Sequence, residues 1–192
     1  MREFCESAYQ LGEAIDLSAV HYGPHSRTKR YYEMTGYYPL LAGIACKLGA
    51  KSALDIGTHY GGSAQALLAG MPSGGRVVTV DIRQRNAEVL NKIRGLVLVT
   101  GDSLDPRTVR RVTTFLAPSV DIIYIDSFHN YDHTMQNIKL YSSLSPKVIV
   151  MDDISINPSM AEAWAVLQAK YPTYDATELC TRNCGFGVVA IQ

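Results

Sequence analysis

Six of the eleven aspartates in this chain fall where an apolar, strand-like run ends. They are Asp55, Asp81, Asp102, Asp126 and the pair Asp152–Asp153, following Ala53–Leu54, Val77–Val80, Leu96–Val99, Ile122–Ile125 and Val148–Met151. Aspartate is a poor strand residue, so the repeated placement needs a reason. In open parallel α/β sheets, ligands bind in the crevice outside the carboxyl ends of the strands. A row of carboxylates there suits a ligand rich in hydroxyls and cationic groups, a metal, or both. One of these ends continues as Ile125-Asp126-Ser127-Phe128-His129-Asn130-Tyr131 and so adds an imidazole. With an ordinary pKa of about 6.5, a histidine can exchange a proton near neutrality. His129 and His133 are four apart and could share a helix face, but the intervening glutamate of a zinc-binding H-E-x-x-H is missing.

The elements that must carry these residues alternate from about residue 52 onward. Strands are expected at 53–57, 76–81, 96–101, 120–126, 147–152, 174–180 and 185–191, with near-continuous apolar runs that suit burial on both faces. Helices are expected at 62–70, 84–93, 106–116, 131–143 and 159–170. Asp105-Pro106 and Asn157-Pro158 read as an N-cap followed by a first-turn proline. Trp164 and Phe115 read as core. The last two strands are separated only by a short turn around Arg182-Asn183, which implies an antiparallel hairpin.

Residues 1–50 form a separate N-terminal segment, with helices expected at 2–15 and 39–48 and residues 51–192 forming the main domain. The stretch 21–38, rich in tyrosine and arginine, reads as a lid over the site. At 192 residues and 47% hydrophobic content, the chain can bury a real core. Eighteen basic residues balance eighteen acidic ones, which argues against nucleic acid as a partner. No 18-residue apolar run is present, so no membrane span is expected. The first residues do not read as a signal peptide, and Cys5, Cys46, Cys180 and Cys184 read as reduced thiols of a cytoplasmic protein.

Five βα units closed by a hairpin resemble the class I S-adenosylmethionine-dependent methyltransferases over roughly residues 50–192. That resemblance implies a three-layer Rossmann-like α/β fold with a seven-stranded, mostly parallel sheet whose last strand is antiparallel. The first strand runs into Asp55-Ile56-Gly57-Thr58-His59-Tyr60-Gly61-Gly62-Ser63 and then a helix. Glycines allow close backbone approach, and the helix N-terminus favours an anion, here the methionine carboxylate of the cofactor. The cofactor is thus expected against Asp55, Gly57, Thr58, Gly61, Gly62 and Ser63, with Asp81 on the ribose hydroxyls, Asp102 and Ser103 near the adenine amine, and Asp126 alongside. A dinucleotide fold would need G-x-G-x-x-G, which this loop lacks.

The Gly-Gly-Ser form of the loop, the Ile125–Tyr131 segment (I-D-x-x-H-x-Y) and the Asp152–Asp153 pair are similar to metal-dependent O-methyltransferases of the macrocin and mycinamicin type. Carried over by position, Asp126, Asp152 and Asp153 would be ligands of Mg²⁺ or Mn²⁺ and His129 the general base. All-oxygen ligation suits those ions rather than zinc. A divalent ion would lower the pKa of an acceptor hydroxyl. The resemblance therefore implies metal-dependent O-methylation of a small molecule, a natural product or sugar. With no separate substrate domain to close the pocket, a homo-oligomer built through the N-terminal helices is expected. A metal-independent N- or O-methyltransferase and a non-catalytic cofactor-binding module stand as alternatives.

Overall fold

The computed structural model describes residues 1–21, 36–181 and 184–191. Most of the expected lid over 21–38, and the turn at 182–183, lie outside the described residues. In chain order the described elements are α1 (Arg2–Glu13), α2 (Tyr37–Leu48), β1 (Ser52–Ile56), α3 (Gly62–Gly70), β2 (Arg76–Asp81), α4 (Ala87–Leu90), β3 (Leu96–Thr100) and α5 (Pro106–Leu116). There follow β4 (Ile122–Ile125), α6 (Tyr131–Tyr141), a 3₁₀ turn (Ser142–Leu144), β5 (Val148–Asp152), α7 (Pro158–Lys170), β6 (Thr173–Asp175) and β7 (Phe186–Ala190).

The strands form a seven-stranded sheet in the order β3-β2-β1-β4-β5-β7-β6. The pairings β3–β2, β2–β1, β1–β4 and β4–β5 are parallel, and β7 runs antiparallel to both of its neighbours. The expected seven-stranded methyltransferase sheet with an antiparallel last strand is what forms. Successive strand residues point to opposite faces. Ala53, Val77, Ile122, Tyr124, Val148 and Val150 therefore pack against α1, α2 and α3. Leu54, Val78, Ile123, Ile125, Ile149 and Met151 pack against α5, α6 and α7. Burial on both faces explains why the strand runs look continuously apolar rather than alternating.

The helix caps are those the sequence implies. Asp105 accepts from the N–H groups of Arg107 and Thr108, Asn130 from His133, and Asn157 from Met160. Some expectations are not met. The sixth strand is only Thr173–Asp175 rather than 174–180, so ten residues of chain separate it from β7 instead of a short turn at Arg182-Asn183. Only Ala87–Leu90 is helical within 84–93. There the side chains bond to neighbouring segments instead of leaving the backbone to run as a longer helix: Gln84 Nε2 donates to the Val99 carbonyl of β3 at 3.1 Å and Asn86 Nδ2 to that of Tyr60 in the loop after β1 at 3.3 Å. Phe115 is not core but 40% exposed. It sits one position off the buried stripe Thr108–Val112–Leu116 of its helix.

Helix α2 begins at Tyr37, two residues before the expected Pro39, and both Tyr37 and Tyr38 are buried. It packs on α1 at close backbone approach. A Cβ added to Gly43 would lie 1.7 Å from the carbonyl oxygen of Ala8. Gly43→Ala must therefore push the two helices apart, and the expected cost is about 1–3 kcal/mol, read as a lowered midpoint in thermal or urea unfolding. An unchanged midpoint would show that this pair of helices separates freely.

Candidate active site

β1 lies between β2 and β4, so the chain leaves it in opposite directions at this point of the sheet. A crevice opens there at the carboxyl ends of the strands, as it should at such a switch point. The loops after β1 and β4 press closely together: Gly57, at φ 109°, has no room for a side chain, because a Cβ would fall 1.8 Å from the carbonyl oxygen of Asp126. The result is a cavity of about 430 Å³.

Most of the sequence-predicted site residues meet in this cavity. Gly57, Thr58, Gly62 and Ser63 line it from the first loop, Asp81 from β2, Asp102 and Ser103 from the end of β3, and Asp126 and His129 from the end of β4. The Asp81 carboxylate is held by two backbone donors, the N–H of His59 at 2.9 Å and that of Arg83 at 3.0 Å. Ser103 is fixed from behind, since its carbonyl accepts the Tyr141 hydroxyl at 2.8 Å.

Asp55, Gly61, Asp152 and Asp153 do not line the cavity. Gly61 is the left-handed N-cap of α3. Asp55 is fully buried beneath the loop, where it accepts from Ser63 Oγ at 2.8 Å and from Thr79 Oγ1. Thr79 Oγ1 in turn lies 2.6 Å from Thr58 Oγ1. Burial pushes the Asp55 carboxyl up to about 7, against the opposing pull of the Thr79 and Ser63 hydroxyls.

A second cluster adjoins the cavity. His129 Nε2 stands 3.4 Å from Asp126 Oδ1 and 3.3 Å from Asp153 Oδ2. The ligand-type atoms of these three residues all lie within 4.8 Å of one another. His129 Nε2 is nonetheless buried without a hydrogen-bond partner, because neither carboxylate is aligned with it. Asp126 and the neighbouring acids hold the His129 imidazole above its ordinary pKa, against desolvation. The loop carrying it is tied to α7, since Asn157 Nδ2 donates to the His129 carbonyl at 3.0 Å and the Tyr131 N–H donates to Ser159 Oγ at 2.8 Å. Asp153 occupies the left-handed region at φ 56°, an unusual conformation for a residue with a side chain. Asp152, the third expected ligand, lies outside this cluster. It is buried, and its carboxylate accepts from the Tyr124 hydroxyl at 3.3 Å and the Asp153 N–H at 2.9 Å.

Sequence reasoning did not single out Ile82, Phe128 or Tyr60, all of which line the cavity, named Tyr38 only as part of the lid, and took His133 only as a partner for zinc. Ile82 is 76% and Phe128 69% exposed. Each large apolar side chain follows closely on a strand-end acid, Asp81 or Asp126. That placement just beyond the sheet was the available signal. His59 and His133 both have lowered pKa values, chiefly from burial.

Comparison with known proteins fits this geometry. No curated protein matches the chain. An O-methyltransferase from Bacillus cereus, solved in complex with SAH, has 20% identity and a TM-score of 0.59, with 98% of this chain and 90% of that chain covered. TomG from Streptomyces achromogenes, an O-methyltransferase involved in tomaymycin synthesis and solved with SAM, has 17% identity and a TM-score of 0.61, covering 99% and 90%. The SAH-bound methyltransferase PaMTH1 of Podospora anserina has 13% identity and a TM-score of 0.62, covering 100% and 89%. These similarities concern the fold. The profile of the family described as Rhamnosyl O-methyltransferase/CmcI matches residues 25–173, so the chain belongs to that family of methyltransferases.

Proposed function

We propose that this S-adenosylmethionine-dependent O-methyltransferase acts on a hydroxyl of a small molecule, a natural product or sugar, with one divalent cation held beside the cofactor. The observation that carries the metal is His129 Nε2. It is buried and unbonded, with two carboxylate oxygens at 3.3–3.4 Å that do not align to accept from it. Three donor atoms converging in that way suit an ion better than they suit one another. Two carboxylate oxygens suit Mg²⁺ or Mn²⁺, and an imidazole nitrogen added to them favours Mn²⁺ or another first-row divalent ion over Mg²⁺. Asp126, Asp153 and His129 would hold it, and Asp152 would brace Asp153 from beneath. When bound, the ion lowers the pKa of an acceptor hydroxyl.

The cofactor reading rests on the cavity wall. Asp81 presents a carboxylate already oriented by two N–H groups and so is ready to accept ribose hydroxyls. Ile82 and Phe128 offer exposed apolar surface on which a flat base can be covered. In-line approach of the acceptor oxygen to the methyl group is then a matter of positioning.

A second reading is favoured by the raised proton affinity of His129: the imidazole takes the acceptor's proton and the acids alone hold the ion. The same Nε2 atom cannot do both. Calorimetry with S-adenosylhomocysteine and Mn²⁺ separates the readings. The parent protein is expected to bind both. His129→Ala should weaken Mn²⁺ binding if Nε2 is a ligand, and leave it unchanged with turnover lost if Nε2 is the base. A parent protein that binds S-adenosylhomocysteine but no divalent ion would leave metal-independent methyl transfer in its place. Binding of neither would end the proposal. Among the described residues, no helix is long and apolar enough to cross a membrane.

A further inference from the structure

The His129 ring stands among acids that do not hold it. Its Nε2 lies 3.3–3.4 Å from Asp153 and Asp126, yet it is buried without a hydrogen-bond partner. Whatever fixes the ring must therefore act from outside the cluster. The chain turns tightly at this point, since the Asn130 N–H donates to the Phe128 carbonyl at 2.8 Å. The carbonyl of His129 itself accepts from Asn157 Nδ2 at 3.0 Å.

Asn157 does two things with one planar group. Its Oδ1 caps α7 by accepting the Met160 N–H at 2.9 Å, while Nδ2 makes the bond to His129. A flipped amide would set donor against donor and acceptor against acceptor, so the network assigns its orientation. Aspartate and serine cap helices as well as asparagine does, but neither carries a separate donor at this reach. Helix α5, by contrast, is capped by Asp105, whose carboxylate only accepts. Asn157 also ends the loop that Asp153 begins. The Ile156 N–H folds that loop on itself by donating to the Asp153 carbonyl at 3.2 Å. The N–H groups of Asp153 and Ser155 pin it to the approach of β7, on the carbonyls of Gly185 at 2.9 Å and Cys184 at 2.8 Å. One turn thus presents an acid at its start and grips the backbone of the histidine at its end.

We infer that Asn157 is a positioning residue, whose amide sets the His129 imidazole at a fixed separation from Asp153 and Asp126 so that three donor atoms are arranged before an ion arrives. This rests on the metal reading above. Preorganisation of that kind is what a binding group needs when its own contacts do not orient it.

Three substitutions separate the cap from the tie. Asn157→Asp and Asn157→Ser lose the donor and keep the cap, whereas Asn157→Ala loses both. The Tyr131 N–H still donates to Ser159 Oγ, so the starts of α6 and α7 stay joined in all three. The first two variants are expected to unfold within about 4 °C of the parent protein and the third at a lower midpoint. Crystal structures of the metal-free proteins read the ring directly. It is expected in one position in the parent, and turned away from Asp153 or spread over several positions in all three variants. Mn²⁺ affinity, followed by electron paramagnetic resonance, is expected to fall by about 10–100-fold in each, with S-adenosylhomocysteine affinity within about twofold of the parent. A displaced ring with unchanged Mn²⁺ affinity would keep the positioning role and make His129 the base rather than a ligand. A ring that stays in place in the Asp and Ser variants overturns the inference, whatever the metal does. A parent protein that binds no Mn²⁺ ends the metal reading, and the ring position still decides the role of Asn157.

Discussion

Asp153→Asn is expected to lower affinity for Mn²⁺ or Mg²⁺ by about 100-fold or more while leaving S-adenosylhomocysteine affinity and the fold intact. Losing a group that merely orients a ligand already costs about 10–100-fold in metal affinity, so losing a ligand charge should reach at least the top of that range. The substitution is clean for a structural reason. Asp153 sits at φ 56°, and asparagine is among the few residues that accept the left-handed region readily. The amide keeps the size and planarity of the carboxylate and removes its charge beside Asp126 and His129. Stability should therefore hold or rise slightly as the metal is lost. Mn²⁺ binding followed by electron paramagnetic resonance, with unfolding midpoints measured alongside, separates the two effects. Unchanged Mn²⁺ binding in the variant would remove Asp153 from the ligand set. Loss of metal together with loss of fold would make it a structural residue.

The second large effect concerns stability and pH. Asp55 is completely buried, and its carboxyl is raised from an ordinary value of 3.8 to about 7 by desolvation, with Asp126 and Asp81 adding to the rise and the Thr79 and Ser63 hydroxyls opposing it. The raised folded-state pKa fixes the sign. The proton is held more tightly in the folded chain than in the unfolded one. Its stabilising contribution is complete below the unfolded value of about 3.9 and is lost as pH rises through about 7. With both states ionised at pH 8, the buried charge costs on the order of 4 kcal/mol. Asp55→Asn removes that cost because it cannot ionise. Its advantage over the parent protein should be large at pH 8, smaller at pH 5 and gone by pH 4, as read by chemical unfolding at each pH. An advantage that grows on acidification would contradict the sign and with it the burial of an unpaired charge.

The same substitution is therefore expected to stabilise the chain above neutral pH. A residue that costs stability and is recovered in binding is a common feature of functional sites, where local energy is spent on preorganisation. Asp55 is an electrostatic instance, and the left-handed Asp153 and His59 are conformational ones.

Much of the architecture could be read before any coordinates. The run of apolar strands, each closed by an acid, determined a parallel sheet covered on both faces, because no other common arrangement buries Ile122–Ile125 and Val148–Met151 completely. The caps at Asp105 and Asn157 located two helix starts, since their side chains satisfy N–H groups that the helix cannot. The glycine loop and the I-D-x-x-H-x-Y segment identified the region of the site. Local chemistry is strong in each case, and sequence spacing carries it.

What only the tertiary structure decided is which of the acids face one another and which lie beneath. In sequence Asp55 looks like any other strand-end carboxylate, yet the register of β1 against β2 sets it next to Thr79 and buries it. Asp152 and Asp153 are neighbours in the chain, but the left-handed turn at Asp153 aims their carboxylates differently, one toward Tyr124 and one toward His129. Ile82 and Phe128 are apolar residues that composition assigns to a core, and the sheet ends before it can cover them. Burial and direction depend on contacts between residues far apart in the chain, and no local pattern encodes those contacts.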